Sequence, residues 1–313
     1  MKICSLIPGA TEVIAALGLE DQLVGISHEC DFPPSIRRVP VMIEPLVEAE
    51  HTTSSGIDQR VKELIETGQQ LYRLKDDAFR HARPDLILAQ DLCHVCSVTP
   101  DQLTRAMHSL PHRPELLILS PTTLRDMIHD IERIASAVGA VSKGNALAAD
   151  LRGRLERIRL RTEQVAVRPR VVCLEWLDPL YVAGHWVPEM VDLAGGHNVL
   201  GSKDQPSYQT TWDEVDAAQP DVIIVMPCGY SVDRTLNELR QVESLQALWQ
   251  RAQTSWSNIY LVDAGAYFSR PGPRLIDGVE ILAAIFHPAQ DHPLDRSQAI
   301  KLETSVLAGD SAP

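Results

Sequence analysis

Short apolar runs bounded by turn-forming residues alternate along the chain with segments in which apolar residues recur at helical spacing. This alternation is typical of parallel strands joined by crossover helices, so the pattern predicts an α/β fold. Helices are expected after Thr11, Asp58 and Asp101, because each of these residues can accept hydrogen bonds from exposed backbone N–H groups. The strands predicted in the first third lie at residues 2–6, 23–26, 85–89 and 115–119.

A long helical segment follows these strands. Its apolar residues recur from Thr123 to Ile158, with Gly139 and Gly144 as candidate breaks, because glycine costs about 1 kcal/mol in a helix interior relative to alanine. Strands are predicted again at residues 171–176, 221–226 and 259–263, and a helix after Pro273. The sequence therefore predicts two Rossmann-like lobes with mainly parallel sheets, joined by a long backbone helix. The predicted boundaries are 1–120 for the N-terminal α/β lobe, 121–168 for the connecting helical segment, 169–290 for the C-terminal α/β lobe and 291–313 for a polar tail.

A short internal repeat supports the two lobes. Asp77 precedes Pro84-Asp85 and an apolar strand, and Asp213 precedes Pro220-Asp221 and another apolar strand at the same offset. Repetition at a fixed offset indicates two copies of one supersecondary unit.

Composition and charge narrow the classes of partner. The formal net charge is −13 without an acidic block, and this charge would repel the phosphates of nucleic acid and of anionic membranes. We therefore expect no nucleic-acid partner. No stretch reaches the ~18 to 20 apolar residues that span a bilayer, so membrane insertion is not expected either. Six cysteines in a chain of 313 residues do not indicate a disulfide scaffold.

The first residues bear on the compartment. Met1 runs directly into the first predicted strand, without the basic region and apolar stretch of a signal peptide. As written, the sequence predicts a cytoplasmic protein. A true start further upstream would make the protein periplasmic or lipid-anchored.

Eight short segments along the chain form a recognisable series. They are residues 5–12 (SLIPGATE), 16–19 (ALGL), 24–27 (VGIS), 31–34 (DFPP), 83–87 (RPDLI), 192–196 (DLAGG), 212–215 (WDEV) and 219–221 (QPD). In order and spacing they resemble one family, the cobalamin, haem and siderophore receptors that deliver chelates to ABC importers.

The resemblance covers most of the chain and is closest to the cobalamin-binding branch. It implies non-catalytic binding of a corrinoid, or of a related metal chelate, in a cleft between the lobes. The protein would then be the substrate-binding component of an ABC importer, with a permease as partner, or an intracellular carrier.

The same resemblance implies a docking surface. In the cobalamin-binding branch an acidic residue on each lobe contacts arginines of the permease, and Asp77 and Asp213 occupy the matching positions. The alternative is that both carboxylates only complement the positive ends of helices, which is worth roughly 0.3 to 1 kcal/mol each.

Ligand contacts in this family come from aromatic side chains and a basic residue. Residues 267–274 resemble the ligand-facing loop of the family, although Ala266 stands where some members carry an acidic residue. Flat aromatic contact suits a broad, partly apolar ring with polar edges. The alternative for each single aromatic is packing in the core. The candidate ligand-binding residues are Trp176, Tyr267, Phe268, Arg270, Trp212, Tyr181 and Trp186.

A cysteine pair lies outside the family pattern. Cys93 and Cys96 follow a predicted strand, at the end where open α/β sheets present ligand sites, and their spacing suits a metal or a redox pair. His28 and Cys30 follow the neighbouring strand and are candidates to complete a metal site. A metal- or thiol-dependent enzyme or redox protein is therefore the alternative function, against packing of these cysteines as small apolar groups.

Motifs of other enzyme classes are missing from the sequence. It contains no G-x-S-x-G, no G-x-x-x-x-G-K-[ST] and no G-x-G-x-x-G after the first strand. We therefore expect a binding protein and no enzyme.

Overall fold

The four strands predicted in the first third form one parallel sheet. The computed structural model describes residues 1–49, 52–91, 100–108, 110–256, 258–288 and 294–303. All five residues of the inner strand β5 are buried, as expected for a parallel sheet that is covered on both faces. The order across the sheet is β2 (Leu23–Ile26), β1 (Ile3–Ser5), β5 (Leu86–Gln90) and β6 (Glu115–Leu119).

The three helices predicted in this region begin earlier than expected. Thr11 lies inside α1 (Pro8–Ala16), which begins at Pro8 because proline is favoured in the first helical turn, where its missing N–H is not needed. Asp58 likewise lies inside α2 (Ser54–Glu66), and Asp101 is the second residue of α4 (Pro100–His108). The remaining elements are α3 (Asp76–Ala82), α5 (Leu124–Ala137), the antiparallel pair β3 (Ile43–Pro45) and β4 (Tyr72–Leu74), and 3₁₀ turns at Glu20–Gln22 and Pro34–Arg38.

The predicted long helical segment is two helices. Thr123 caps α5 with a capping box to Asp126, and α5 ends before Gly139, which has a φ of +71°. Glycine adopts this left-handed conformation without the steric cost that other residues meet. The second candidate break, Gly144, lies inside the 22-residue α6 (Val141–Thr162). A Cβ on Gly144 would lie 2.1 Å from the Cβ of Ala135, so this glycine allows α5 and α6 to pack closely.

The second sheet has seven strands, and its three parallel inner strands are those that the sequence predicts. Strand β13, which pairs antiparallel with β12, lies in the segment expected to be a polar tail. The strands are β7 (Arg170–Trp176), β8 (Tyr181–Val182), β9 (His197–Asn198), β10 (Tyr208–Gln209), β11 (Val222–Val225), β12 (Ile259–Val262) and β13 (Ala299–Lys301), with the main order β10-β8-β7-β11-β12-β13 and β9 beside β7. The helices that accompany this sheet are α7 (Val187–Leu193), α8 (Trp212–Ala217), α9 (Val232–Gln241), α10 (Glu243–Ser255), α11 (Ala264–Tyr267) and the predicted α12 (Leu275–Phe286).

The chain divides into two compact units, and the boundary between Arg152 and Gly153 falls within α6. Each unit contains one of the two mainly parallel sheets and its own buried apolar cluster. The predicted two-lobed α/β class is confirmed. The first unit comprises residues 1–52, 56–152 and 271–273, and the second comprises residues 53–55, 153–270 and 274–313.

The Pro-Asp repeat has the same structural role in both units. The N–H of Asp85 donates to the carbonyl of Lys2 at 2.8 Å, and its carboxylate accepts from the N–H of Lys2 at 2.7 Å. Asp221 makes the same two bonds with Arg170, both at 2.8 Å. Each aspartate therefore joins the start of one inner strand to the start of its neighbour.

Gly9 and Gly153 are both helical, and together they provide a matched test of the packing of Gly9 in the first unit. A Cβ on Gly9 would lie 2.1 Å from the carbonyl oxygen of Pro271, a backbone atom that cannot move aside. We expect Gly9→Ala to lower the free energy of unfolding by about 1–3 kcal/mol, the range for overpacking. Urea denaturation monitored by circular dichroism measures the change.

The control is Gly153→Ala. There the nearest atom to a new Cβ is Nη1 of Arg157 at 3.5 Å, on a flexible side chain. Alanine should stabilise this position by about 0.5–1 kcal/mol through helix propensity. Equal effects of the two substitutions would contradict the packing of Gly9 against Pro271.

Candidate functional site

The carboxyl ends of β7, β11 and β12 share one edge of the second sheet, which we call the second-unit edge. Backbone bonds tie the loops at this edge together: the N–H of Cys228 donates to the carbonyl of Glu175 at 3.0 Å, and that of Gly265 to the carbonyl of Tyr230 at 3.1 Å. Ligands of open α/β sheets bind beyond the carboxyl ends of the strands. The second-unit edge is therefore the candidate site in this unit.

An aromatic pair lies at this edge. The half-buried Trp176 at the end of β7 meets Tyr230 edge to face, with 5.5 Å between ring centroids. The guanidinium of Arg234 lies 3.7 Å above the ring of Tyr230, within the range of a cation–π interaction. The sequence predicted Trp176 but not Tyr230, because a tyrosine after the turn-forming residues that follow β11 carries no pattern of its own.

A buried carboxylate holds Trp176 indirectly. Nε1 of Trp176 donates to the carbonyl of Ser54 at 3.2 Å. The N–H and hydroxyl of Ser54 both donate to Oε1 of Glu238, at 2.7 and 2.5 Å. Ser54 and Glu238 are buried, and hydrogen bonds to a charged acceptor are the stronger kind. No sequence signal joins these two residues, which are 184 positions apart.

The predicted ligand-facing loop begins at Tyr267, the last residue of α11. Tyr267 and Arg270 are partly exposed, whereas Phe268 is 2% exposed and packs in the unit. Trp186 is 5% exposed and donates from Nε1 to the carbonyl of Phe268 at 2.7 Å. The guanidinium of Arg274 lies 5.9 Å from the ring centroid of Tyr267. The loop therefore has one partly exposed aromatic side chain, Tyr267, and two partly exposed basic ones, Arg270 and Arg274, and the buried Trp186 holds its backbone.

The two other aromatic candidates have different surroundings. Trp212, the first residue of α8, stacks on Trp256 with 5.7 Å between ring centroids and meets Trp249 edge to face at 5.3 Å. Trp212 thus packs against the core of the second unit. Tyr181 is partly exposed on β8, where it pairs with Gln209 of β10.

The matching edge of the first unit carries small polar groups. The hydroxyl of Thr11 donates to Oγ of Ser5 at 2.8 Å and lies 3.0 Å from Sγ of Cys30, and all three side chains are buried. Nε2 of His28 lies 3.3 Å from Oε1 of Glu29, and its ring centroid is 5.5 Å from that of Tyr72. His28 and Cys30 are therefore engaged in separate contacts.

The predicted metal site lies partly outside the described residues, which do not include Cys93 and Cys96. Among the residues that are described, no group of three or more His, Cys, Asp or Glu side chains is arranged to hold a metal ion. Burial raises the pKa of the Cys4 thiol, and neighbouring Cys30 acts in the same direction, so Cys4 stays protonated at neutral pH. The described thiols of the first unit therefore give the redox alternative no support.

Both candidate docking carboxylates are exposed, and each lies in the first turn of a helix. The side chain of Asp77 on α3 is 88% exposed and pairs with Arg80. Asp213 occupies the corresponding place on α8, after the N-cap Thr211. Within the described chain, no helix is both long enough and apolar enough to cross a membrane.

Two α/β units, each built on a mainly parallel sheet, define a two-lobed binding-protein fold. A sequence profile described as periplasmic binding protein matches residues 3–252, and the chain belongs to that family. Members of this family bind substrates and are not enzymes.

Known relatives extend over nearly the whole chain. The vitamin B12-binding protein of Vibrio cholerae is 25% identical over 293 residues, which are 92% of this chain and 90% of that protein. An uncharacterized ABC transporter substrate-binding lipoprotein of Bacillus subtilis is 25% identical over 298 residues, 92% of this chain and 80% of that protein. A periplasmic heme-binding protein from Pseudomonas aeruginosa superposes with a TM-score of 0.71 at 18% identity, covering 97% of this chain and 98% of that one, and shows the likeness of the fold.

Tyr230 should have an unusual titration. Burial raises the pKa of its phenol, and the charge of Glu238 acts in the same direction. In the unfolded chain the phenol ionises near its ordinary pKa of about 10. The unfolded state thus loses this proton first, so the stability due to the neutral phenol is full below pH ~10 and is lost as pH rises above it. We expect Tyr230→Phe to lessen this alkaline loss and to remove a late phenolate step, measured by ultraviolet absorbance.

Tyr208→Phe is the control, because Tyr208 is 44% exposed and its loss should leave the late phenolate step of Tyr230 in place. Burial also raises the pKa of Tyr260, so the difference between wild type and variant isolates Tyr230. A titration whose late part is unchanged by Tyr230→Phe would show that Tyr230 is not shielded from solvent.

Proposed function

We propose that this protein binds a corrinoid or a related metal chelate, such as a heme, as the substrate-binding component of an ABC importer. Family membership supports a binding role. The functions by which the relatives are known, vitamin B12 binding, heme binding and ABC transport, support the class of ligand and partner.

The observation that carries the proposal is the exposed aromatic and basic character of the second-unit edge. Trp176 and Tyr267 offer partly exposed rings, and Arg270 adds a cationic group. A chelate ring is a broad disc with an apolar face and polar edges, so flat aromatic contact binds its face and a guanidinium binds an edge carboxylate or amide. This combination fits a tetrapyrrole better than it fits a small hydrophilic solute.

The predicted ligand residues then divide into two roles. We assign direct contact to Trp176, Tyr267 and Arg270, which are partly exposed. Phe268 and Trp186 are buried and hydrogen-bonded through the loop backbone, so we assign them to holding the loop. Tyr181 and Trp212 stay predictions.

The proposed role also implies a compartment. A protein that delivers substrate to an importer works on the outer side of the cytoplasmic membrane. Cell fractionation tests this, and a cytoplasmic location would favour the intracellular carrier.

Titration with cyanocobalamin, aquocobalamin and hemin tests the ligand class. We expect heat and a shift of the visible spectrum with at least one chelate. Trp176→Ala and Tyr267→Ala should each weaken binding by about tenfold or more, because buried aromatics dominate binding energy. Calorimetry and visible spectroscopy measure the affinity, and circular dichroism checks that the variants are folded.

Tyr208→Ala is the matched control, since this tyrosine lies on β10 and is 44% exposed. The chelate affinity of this variant should equal that of the wild type. The proposal would be defeated if none of the three chelates produced heat or a spectral change.

The docking role of Asp77 and Asp213 is tested separately. Alanine at both positions should leave chelate affinity unchanged but lower uptake by about tenfold or more, because loss of one partner of an interfacial charge pair costs about 2–5 kcal/mol. Uptake is measured in cells of the source organism that carry the variant in place of the wild type.

Asp76→Ala and Asp216→Ala are the controls, because they remove exposed carboxylates from the same two helices. If uptake falls equally in the controls, it depends on the total negative charge of α3 and α8 and not on Asp77 and Asp213 in particular. Normal uptake with both docking carboxylates removed would assign Asp77 and Asp213 to stabilising α3 and α8 only.

A further inference from the structure

A basic cavity lies at the amino-terminal edge of the first sheet, opposite the edge where ligands of such sheets bind. Its volume is about 370 Å³, and the described residues that line it are Lys2, Arg80, His81 and Arg83. Lys2 directly precedes β1, and Arg83 is the C-cap of α3 ahead of β5. Because β1 and β5 are neighbouring parallel strands, the residues before them converge at one place.

The internal repeat shows that a cation at position 83 is not needed by the fold. In the second unit Arg170 corresponds to Lys2, and its guanidinium donates to the carbonyls of Ala218 and Gln219 at the end of α8, at 2.7 and 3.0 Å. Gln219 corresponds to Arg83, and both are left-handed, with φ of +47° and +48°. The second unit thus builds the same turn with the neutral Gln219, and it uses Arg170 to cap the end of α8.

In the first unit the equivalent cations are not used in this way. Among the described residues, neither Nζ of Lys2 nor the guanidinium of Arg83 has a hydrogen-bond acceptor, while Arg80 pairs with Asp77. The carboxylate of Asp85 accepts from the backbone of Lys2 and is not part of the cavity lining. Lys2 and Arg83 therefore line the cavity, and their side chains have no carboxylate partner among the described residues.

Two negative contributions oppose the binding of an anion here, and both are weaker than the positive charge of Lys2 and Arg83. The carbonyl end of α3 carries at most about half an elementary negative charge, against a full charge on each of Lys2 and Arg83. The net charge of −13 belongs to the whole chain, and beyond about 8–10 Å it is screened at physiological salt. An anion in the cavity thus meets mainly the cations that line it.

We propose that this cavity binds a phosphate-type oxyanion, either free in solution or in a lipid headgroup. Guanidinium groups bind such oxyanions through paired hydrogen bonds, and an ammonium adds a point charge. The volume lies at the small end of the range for ligand pockets, which suits a small ligand. This site is distinct from the proposed chelate site. It lies in the first unit, at the amino-terminal edge of the first sheet, whereas the chelate site is proposed at the second-unit edge.

Calorimetric titration with inorganic phosphate at constant ionic strength tests the proposal. The test variant combines Lys2→Gln with Arg83→Asn, since asparagine tolerates the left-handed conformation of position 83. The control variant, Arg157→Gln with Arg296→Gln, removes the same charge from exposed positions in the second unit. We expect the wild type and the control to bind phosphate, and the test variant to bind it about tenfold more weakly or worse.

A second arm identifies the source of the anion. The amount of protein that co-sediments with vesicles of phosphatidylcholine alone is compared with the amount that co-sediments with vesicles that also contain phosphatidylglycerol. Binding of phosphate alone supports a free anion, and binding to the anionic vesicles that the test variant loses supports a headgroup. Equal behaviour of test and control variants in both arms, or no binding by the wild type in either, would overturn the proposal. A wild type that binds phosphate but no chelate would retain this site and refute only the proposed function.

Discussion

The aspartate that precedes an inner strand sets the alignment on which each unit depends. Asp85 and Asp221 bond through both backbone and side chain to the residue that starts the neighbouring strand. A shift of register by one residue would turn every side chain of a strand to the other face of its sheet. Because the inner strands are parallel, their carboxyl ends lie at the same edge of the sheet. Trp176 and the loop that contains Tyr230 lie at such an edge.

The sequence predicts those parts of the fold whose signal is local. The inner strands are continuous apolar runs, and residues 23–26 and 115–119 have the predicted bounds. Strands such as β8, β9 and β10 contain two residues each, too few for any periodicity to show. The strand β13 exists through its pairing with β12, a contact between segments about forty positions apart, so its own residues read as a polar tail.

The candidate site is less predictable than the fold, because residue type does not reveal burial. Trp186, Phe268 and Tyr267 are all aromatic residues in turn-rich sequence, yet only Tyr267 is appreciably exposed. Trp186 donates to the carbonyl of Phe268, and no local sequence pattern indicates this contact. The ligand-facing role of this loop stays a prediction from the resemblance to chelate receptors, and the roles of its residues depend on packing.

These buried contacts bear directly on how the protein holds a ligand. A binding protein gains affinity when its contact residues are already in place, because less side-chain entropy is lost on association. Trp176 is held through Ser54 by the carboxylate of Glu238, and the loop of Tyr267 is held through Phe268 by Trp186. Each partly exposed aromatic thus rests on a buried polar bond, and leaving such a buried group unpaired would cost about 1–3 kcal/mol. The positions of Trp176 and Tyr267 therefore depend on residues that need not touch a ligand, so substitution of Glu238 or Trp186 should affect binding as well as stability.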